Sequence, residues 1–245
     1  MGQRSNNFSR GASLTRGLSA VLSSLLLAGC AAVPITYPHK PLGSTWQMNE
    51  LAPVAVLSHV RINDLEVRHV RRKTKVCVDG FYDHLEIAGR IGPDSFAVIE
   101  KLLPSVMQCV TRDGIRASTE VYLSSSGGSL AHGILMGEVF RKHQVETILI
   151  GDMSCKSACA IAYLGGLRRN LYNQATLVFH APYLKTATGV DCTDRGQVEL
   201  LRNYMTRMLG EKEGVFLFHR TMAFCSRTEG WTINKDAAKL LGISR

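Results

Sequence analysis

The chain has 245 residues and a formal net charge of +9, from 29 lysines and arginines against 20 acidic residues. This length is enough for one domain with a substantial hydrophobic core. A positive charge can attract polyanions, but no nucleic-acid-binding motif and no interleaving of basic with aromatic residues accompanies it. We therefore expect no nucleic-acid partner.

Residues 1–29 have the composition of a secretory signal. Three arginines and no acid precede an apolar segment at 18–27, which is too short to be a confident membrane span. The segment ends in LAGC, where small residues precede Cys30, and this resembles the bacterial lipobox. The alternative is an ordinary secretory signal with an incidental cysteine. In both cases the chain leaves the cytoplasm.

The lipobox resemblance implies a lipid on Cys30 and a protein that is anchored to a membrane without spanning it. Residue Ala31 is not an aspartate. By resemblance to lipoproteins sorted by this position, we expect the outer membrane of a bacterial cell envelope, with the domain facing the periplasm. Residues 30–52 contain three prolines and little periodicity, which indicates a tether before a domain at 53–245.

Six further cysteines follow Cys30, and an even count in an oxidising compartment suggests disulfides. They are Cys77, Cys109, Cys155, Cys159, Cys192 and Cys225. The sequence cannot choose among the pairings, but Cys155 and Cys159 are close enough to bridge if their segment starts a helix. A metal-binding pair is the competing interpretation, and it is weak because no second ligand pair with matching spacing exists.

The pattern along the domain alternates between strands and helices. We expect strands at 54–62, 66–80, 84–92, 120–123, 146–150 and 175–180, and helices at 93–107, 129–143, 156–164, 197–209 and 235–241. This alternation favours an α/β fold with a mainly parallel sheet and helical crossovers. The basic run at 68–75 could meet acidic lipid headgroups, although a solvated face is the simpler interpretation.

Three local patterns carry chemistry. Ser126, Gly127 and Gly128 end a predicted strand, and a glycine pair there allows backbone N–H groups to approach a substrate. A plain turn or a phosphate cradle are the alternatives. Neither GxxxxGK[ST] nor GxGxxG is present, so we expect no nucleotide cofactor.

Ser157 lies 29 residues after Gly128, at the predicted N-terminus of a helix. Unpaired N–H groups at a helix start favour a developing negative charge, so this serine is a candidate nucleophile. The alternative is an ordinary N-cap serine, although Ser154 could be the cap and leave Ser157 free.

His180 ends an apolar strand 23 residues after Ser157, where an imidazole can face a cleft and act as a general base. The alternative is a histidine of the core whose ring is bonded to the backbone. His132 and His219 are rivals for the role of base, and His132 follows the glycine pair closely enough to share its cleft.

Together these patterns resemble the Clp protease/crotonase superfamily, and in particular the ClpP-type serine peptidases and their envelope relatives. Those proteins have a Gly-Gly turn, a serine at a helix start and a histidine before a proline-containing turn, at nearly the separations found in 121–183. The resemblance implies a ClpP/crotonase-like superhelix of ββα units.

The resemblance also implies roles for individual residues. Ser157 would be the nucleophile, His180 the base, and the N–H groups of Gly128 and Ala158 the oxyanion hole. An extended substrate would lie beside the loop 126–128 as an added strand. A hydroxyl nucleophile does need a neighbouring base, and the oxyanion needs donors already in place.

The chain departs from the family pattern at two points. Ser126 stands where the peptidases usually have a proline, and the third member of a triad is open. Family spacing places it near Glu229, but Gly230 aligns about as well, and Asp191 or Asp194 could serve instead.

The resulting hypothesis is a membrane-anchored envelope serine hydrolase, a peptidase with peptide or protein substrates and no cofactor or metal. The alternative is a non-catalytic domain of the same fold that binds extended peptides or acyl groups. An enzyme acting on acyl thioesters ranks last, because free thioester cofactors are not expected outside the cytoplasm. Relatives of this kind often form rings, so a homo-oligomer is also conceivable.

Overall fold

The computed structural model describes residues 55–245. The predicted signal segment, the lipidation of Cys30 and the tether at 30–52 lie outside the described residues. No helix within the described part is long and apolar enough to cross a lipid bilayer.

Each predicted strand and helix has a counterpart among the described residues, together with several further elements that were not predicted. The strands are β1 (Ala55–Ile62), β2 (Leu65–Lys73), β3 (Phe81–Ile91), β4 (Glu120–Gly128), β5 (Glu146–Leu149), β6 (Ser154–Lys156), β7 (Arg168–Leu171), β8 (Thr176–Phe179), β9 (Leu184–Lys185), β10 (Val190–Asp191) and β11 (Trp231–Ile233). The helices are α1 (Ser95–Leu102), α2 (Leu130–Lys142), α3 (Ala158–Tyr163), α4 (Arg195–Leu209), α5 (Glu211–Met222) and α6 (Lys235–Leu240).

The main sheet has the order β1-β2-β3-β4-β6-β8-β11, and it branches because β4 also pairs with β5, which pairs with β7. Pairing is parallel from β3 through β4 and β6 to β8, and along the branch from β4 through β5 to β7. The edges β1-β2-β3 and β8-β11 are antiparallel. The predicted α/β class with a mainly parallel sheet is therefore confirmed.

The branch at β4 separates two regions of the sheet. The first half of β4, from Glu120 to Tyr122, pairs with β5, whereas Ser125 pairs with Cys155 of β6. A strand that changes partner along its length lets β6 and β8 continue the sheet past the end of β5. The ends of β4, β6 and β8 are thereby brought side by side.

Helices α2 and α3 pack closely against each other because of a glycine. A Cβ on Gly133 would lie 2.5 Å from the carbonyl oxygen of Ala158 and 2.9 Å from its Cβ. Since helix α3 begins at Ala158, this contact holds the start of α3 against α2. The core around them includes the fully buried side chains of Phe140, Tyr163 and Tyr204.

All six cysteines of the domain form disulfides. The bonds are Cys77–Cys109, Cys155–Cys159 and Cys192–Cys225. The predicted bond between Cys155 and Cys159 is confirmed, and the metal-pair interpretation is wrong because both thiols are consumed. No cluster of three or more metal-ligating side chains occurs among residues 55–245.

Several predicted boundaries are wrong for local reasons. Helix α1 ends at Leu102 and not at 107, and a 3-10 turn with Pro104 follows, since proline lacks an N–H for a helical bond. Strand β2 ends at Lys73 and not at 80. Helix α3 begins at Ala158 and not at 156, because Ser154–Lys156 form β6 and Ser157 makes the turn between β6 and α3. Helix α5 and the short strands β6, β7, β9, β10 and β11 were not predicted.

The basic run of β2 is not a free cationic surface. The antiparallel register places Arg68 opposite Glu86 and Arg71 opposite Asp83 on β3. Arg68 lies 2.6 Å from Glu86, and Arg71 lies 2.7 Å from Asp83. The alternative that this run meets acidic lipid headgroups, which the sequence left open, is weakened because the charges of Arg68 and Arg71 are compensated within the sheet.

Two carboxyl groups are buried together at the start of the parallel region. Glu120 and Glu146 are opposite each other on β4 and β5, with exposed fractions of 4% and 2%. Burial, and next to it the charge of Glu146, raise the pKa of Glu120 to about 8. The hydroxyl of Tyr122 donates to Glu120 at 2.8 Å, so a protonated Glu120 still accepts one hydrogen bond.

We expect the substitution Glu120→Gln to make stability less dependent on pH. A carboxyl whose pKa is raised on folding binds more protons in the folded state, so stability falls as the pH rises from the ordinary value of 4.5 to about 8. Glutamine cannot ionise and keeps a carbonyl acceptor for Tyr122. Urea denaturation at several pH values should show the variant gaining stability relative to the wild type across this window. A stability difference between the variant and the wild type that is the same at every pH would contradict the raised pKa of Glu120.

Candidate active site

The candidate site lies at the carboxyl ends of three neighbouring parallel strands, β4, β6 and β8. Ser125 of β4 is opposite Cys155 of β6, and Lys156 of β6 is opposite Val178 of β8. Parallel strands end at the same edge of a sheet, so the segments that follow them meet there. These segments carry the glycine pair, Ser157 and His180.

Ser157 occupies the turn between β6 and α3 in a conformation that residues with side chains rarely adopt, with φ 54° and ψ −122°. Its N–H donates to the carbonyl oxygen of Val178 at 2.8 Å. The disulfide Cys155–Cys159 spans the turn, with 5.1 Å between the Cα atoms. The backbone at the serine is thus held at both ends in a strained geometry, as is common at functional sites.

The hydroxyl of Ser157 does not cap the helix, although the residue stands at the N-cap position. Ser154 is not the cap either, because its Oγ accepts a hydrogen bond from Thr176 at 3.2 Å. The interpretation of Ser157 as an ordinary capping serine is therefore wrong. Its hydroxyl makes no hydrogen bond to a described residue, and Ser157 lines the cleft described below.

The glycine pair lies directly against the serine turn. Gly127 has φ +98°, and a Cβ there would lie 2.6 Å from the carbonyl oxygen of Lys156 and 2.7 Å from the Cβ of Ser157. Gly128 has φ +152°, and a Cβ there would overlap the carbonyl oxygen of Ile91. Neither position has room for a side chain, so the glycines let β4 approach the turn of Ser157.

The main chain around Ser157 offers hydrogen-bond donors. Ala158 is the first residue of α3, so its N–H has no partner within the helix. Gly128 and Ala158 line the same cleft as Ser157. The two predicted oxyanion donors are therefore in the same cleft as the serine.

The imidazole of His180 is oriented by the backbone. Its Nδ1 lies 2.8 Å from the carbonyl oxygen of Ala181, which can only accept, so Nδ1 carries the proton and Nε2 has the lone pair. The N–H of Ala181 donates to the carbonyl oxygen of Phe224 at 2.9 Å, and the ring of Tyr183 lies 5.6 Å from the imidazole. This tautomer is the one that a general base acting through Nε2 requires.

No carboxylate among the described residues is bonded to His180. Glu229 is exposed and does not line the cleft. Asp191 accepts hydrogen bonds from Thr193, and Asp194 caps helix α4. Asp191 and Asp194 are therefore bonded within their own turns and not to His180. The role of Glu229 stays a prediction.

The position of Gly230 explains why no acid packs beside the histidine strand in the described part of the chain. Strand β11 pairs with β8 so that Trp231 is opposite Phe179. Gly230 then lies against the end of β8, where a Cβ would be 2.9 Å from the carbonyl oxygen of Phe179. The residue at this place has no side chain, and Glu229 lies one residue beyond it.

A cleft with a volume of about 460 Å³ is lined by most of the residues that the sequence predicts for the site. Its described lining comprises Arg90, Ile91, Gly92, Pro93, Ser126, Gly128, Ser129, Leu130, Ser157, Ala158, Ile161, His180, Pro182, Tyr183, Lys185, Gln197, Leu201 and Arg227. Gly127 is buried and is not among the lining residues. The structure records no direct hydrogen bond between Ser157 and His180, an arrangement often seen without substrate because such contacts tighten on binding.

The other two histidines considered as the base, His132 and His219, are not among the residues that line the cleft. His132 bonds through Nδ1 to the hydroxyl of Ser129 at 2.9 Å, and His219 is exposed on α5. The sequence pattern did not reveal Arg90, Lys185 and Arg227, which do line it. Single basic residues near strand ends have no distinctive local pattern, so only the fold reveals that they meet.

No family model matches the chain, and no curated protein sequence matches it. Among solved structures, the chain is similar to a mutant of the 1510-N membrane-bound stomatin-specific protease, with a TM-score of 0.50 and 11% identity, over 65% of this chain and 75% of that chain. It is also similar to the ClpP protease catalytic domain from Plasmodium falciparum, with a TM-score of 0.45 and 17% identity, over 63% of this chain and 78% of that chain. The first similarity shows that the fold is ClpP-like, as predicted.

We expect Gly127→Ala to disturb the serine turn. The new Cβ would overlap the backbone of Lys156 and the side chain of Ser157 at a φ that disfavours alanine, so unfolding free energy should fall by about 2 to 4 kcal/mol. Labelling of Ser157 by a fluorophosphonate should fall as well, measured below the melting transition.

Gly114→Ala is the matched control, because Gly114 has φ +81° and an added Cβ would meet no atom within 4 Å. This substitution should cost only about 1 to 2 kcal/mol from backbone strain. It should leave labelling unchanged. Equal effects of the two alanines on labelling would show that crowding at the turn does not control the site.

Proposed function

We propose that the protein is a membrane-anchored serine hydrolase of the cell envelope, a peptidase that acts through an acyl-enzyme on Ser157. One observation carries the proposal. Ser157, His180, Gly128 and Ala158, which come from three different parallel strands and the turns after them, line one cleft. The ClpP-like fold is consistent with this chemistry but does not by itself assign it.

In the first half of the reaction the Oγ of Ser157 attacks the carbonyl carbon of a peptide bond. The proton of the hydroxyl passes to Nε2 of His180, and the carbonyl oxygen becomes an oxyanion beside the N–H groups of Gly128 and Ala158. When the C–N bond breaks, the proton moves from Nε2 to the leaving amine. An ester on Ser157 remains.

In the second half a water molecule attacks that ester. Nε2 of His180 takes one proton from the water, the ester bond breaks, and the proton returns to the Oγ of Ser157. The products are a carboxylic acid and the free enzyme. Each half requires the lone pair on Nε2, which the bond from Nδ1 to Ala181 leaves available.

The backbone carbonyl of Ala181 takes the orienting role that a carboxylate has in a Ser-His-Asp triad. A carbonyl fixes the tautomer but stabilises the imidazolium less than a carboxylate does. The proposed catalytic unit is therefore a dyad, and Glu229 remains the candidate for a third member. Loss of activity in Glu229→Gln would assign it that role.

The envelope location rests on two supports. The sequence LAGC around Cys30 resembles a lipobox, and the six cysteines of the described domain are all paired. Disulfides of this number are typical of oxidising compartments outside the cytoplasm. We infer a lipid anchor on Cys30 in the outer membrane, with the domain on the periplasmic side.

The second candidate is a domain that binds peptides or acyl groups without turnover. It is favoured by the lack of a hydrogen bond between Ser157 and His180 and by the lack of a bonded acid among the described residues. The two functions differ in one property, which is the nucleophilicity of Ser157.

Labelling of the full-length, oxidised protein with a fluorophosphonate probe separates them. We expect one label per chain, lost in Ser157→Ala, because Ser157 shares its cleft with His180 and with both proposed oxyanion donors. His180→Ala should slow labelling by about 100-fold or more, since the base is removed.

Ser154→Ala is the matched control, because Ser154 is three residues away and bonded to Thr176. It should label like the wild type. An absence of labelling in the folded wild-type protein would favour the binding domain, and labelling that persists in Ser157→Ala would place the nucleophile elsewhere.

A further inference from the structure

The lysine and arginine side chains that line the cleft are not balanced by any acidic side chain in its described lining. Arg90, Lys185 and Arg227 line it, and no aspartate or glutamate is among its described lining residues. The apolar part of the lining includes the buried side chains of Ile161 and Leu201. The cleft thus combines an apolar floor with three cations.

The three cations come from segments on the two sides of β4 and β6 in the sheet order β3-β4-β6-β8-β11, and these two sides are taken as the walls of the cleft. Arg90 is opposite Gly127 in the pairing of β3 with β4, so it stands on the wall of the glycine pair. Lys185 belongs to β9, which follows His180, and Arg227 lies in the segment that leads to β11. A chain running through the cleft would therefore pass between cations.

A disulfide holds the two segments of the second wall together. The bond Cys192–Cys225 joins the end of the β9-β10 hairpin to a position two residues before Arg227. The disulfide therefore links the backbone segment of Lys185 covalently to that of Arg227. Less ordering of these segments is then needed when a ligand binds.

None of the three cations is neutralised within the described part of the chain. Arg68 and Arg71 lie within 2.7 Å of carboxylates, whereas Arg90, Lys185 and Arg227 have no acidic group within 4.0 Å among residues 55–245. A cleft lined by one sign of charge concentrates the field and raises the local concentration of ligands of opposite sign.

The acids closest along the chain do not line the cleft. Asp191 and Asp194 accept hydrogen bonds from their own turns. Asp94 and Glu229 are exposed and outside the lining. We infer that the cleft selects extended peptides that carry carboxylate groups on both sides of an apolar residue at the reacting carbonyl. This inference deepens the proposed function and rests on it for the position of that carbonyl.

Fluorescence anisotropy of the full-length protein tests the inference by binding alone. The probes are two fluorescein-labelled peptides with the same central apolar residue, one flanked by glutamates and the other by glutamines. We expect the glutamate peptide to bind at least about tenfold more tightly at low ionic strength. The ratio should shrink towards one at about 1 M salt.

Single substitutions identify the residues responsible. Arg90→Gln, Lys185→Gln and Arg227→Gln should each reduce the preference by about threefold, and Arg227→Lys should retain most of it. Lys239→Gln on α6 is the matched control, because this cation is exposed and outside the cleft, and it should leave the preference unchanged.

A third peptide with an amidated C-terminus separates two sources of carboxylate. The third peptide is the glutamate peptide with this amide. If amidation abolishes its binding, the cleft recognises a chain end and the inference fails, and if it still binds more tightly than the glutamine peptide, the cleft recognises acidic side chains. Equal binding of the glutamate and glutamine peptides, binding of neither, or a preference that survives all three neutralising variants would overturn the inference.

The outcome is independent of the test of the catalytic role. Fluorophosphonate labelling of Ser157 without any preference for acidic peptides would reject this inference and leave the hydrolase standing. Selective binding of the acidic peptide without labelling would reject the hydrolase and retain a binding cleft for carboxylate-bearing peptides.

Discussion

The hydrogen bond from the N–H of Ser157 to the carbonyl oxygen of Val178 joins the turn of the serine to the strand that ends in His180. Without that pairing, the serine turn and the histidine would be on separate segments with no fixed distance between them. The pairing of Ser125 with Cys155 adds the strand of the glycine pair on the other side. The site therefore depends on three parallel strands in one register.

Maintaining this register requires a strained turn, and three local features stabilise it. The disulfide Cys155–Cys159 closes the turn, Gly127 provides room for it, and Gly133 allows α2 to pack on the first residue of α3. Each feature acts on the backbone of the serine and not on its hydroxyl. The hydroxyl is consequently free while the atoms around it are held, which is the preorganisation that acyl transfer requires.

The meeting of the glycine pair, Ser157 and His180 could be predicted from the sequence. Each of them lies at or just after the end of a strand, and neighbouring parallel strands end at the same edge of a sheet. The charges could not be predicted. The basic run of β2 has the composition of a cationic surface, but its register with β3 pairs it with acids, whereas Arg90, Lys185 and Arg227 are isolated in sequence and meet only in the fold. Long-range pairing decides which charges are compensated.

The central claim is that one cleft presents a hydroxyl, an imidazole and two main-chain donors to the same carbonyl group. The most direct measurement is a crystal structure of the full-length protein after reaction with a peptidyl phosphonate. We predict phosphorus bonded to the Oγ of Ser157, with the phosphonyl oxygen about 2.7 to 3.1 Å from the N–H groups of Gly128 and Ala158. A phosphonyl oxygen that points away from both donors, or an adduct on another residue, would contradict the account.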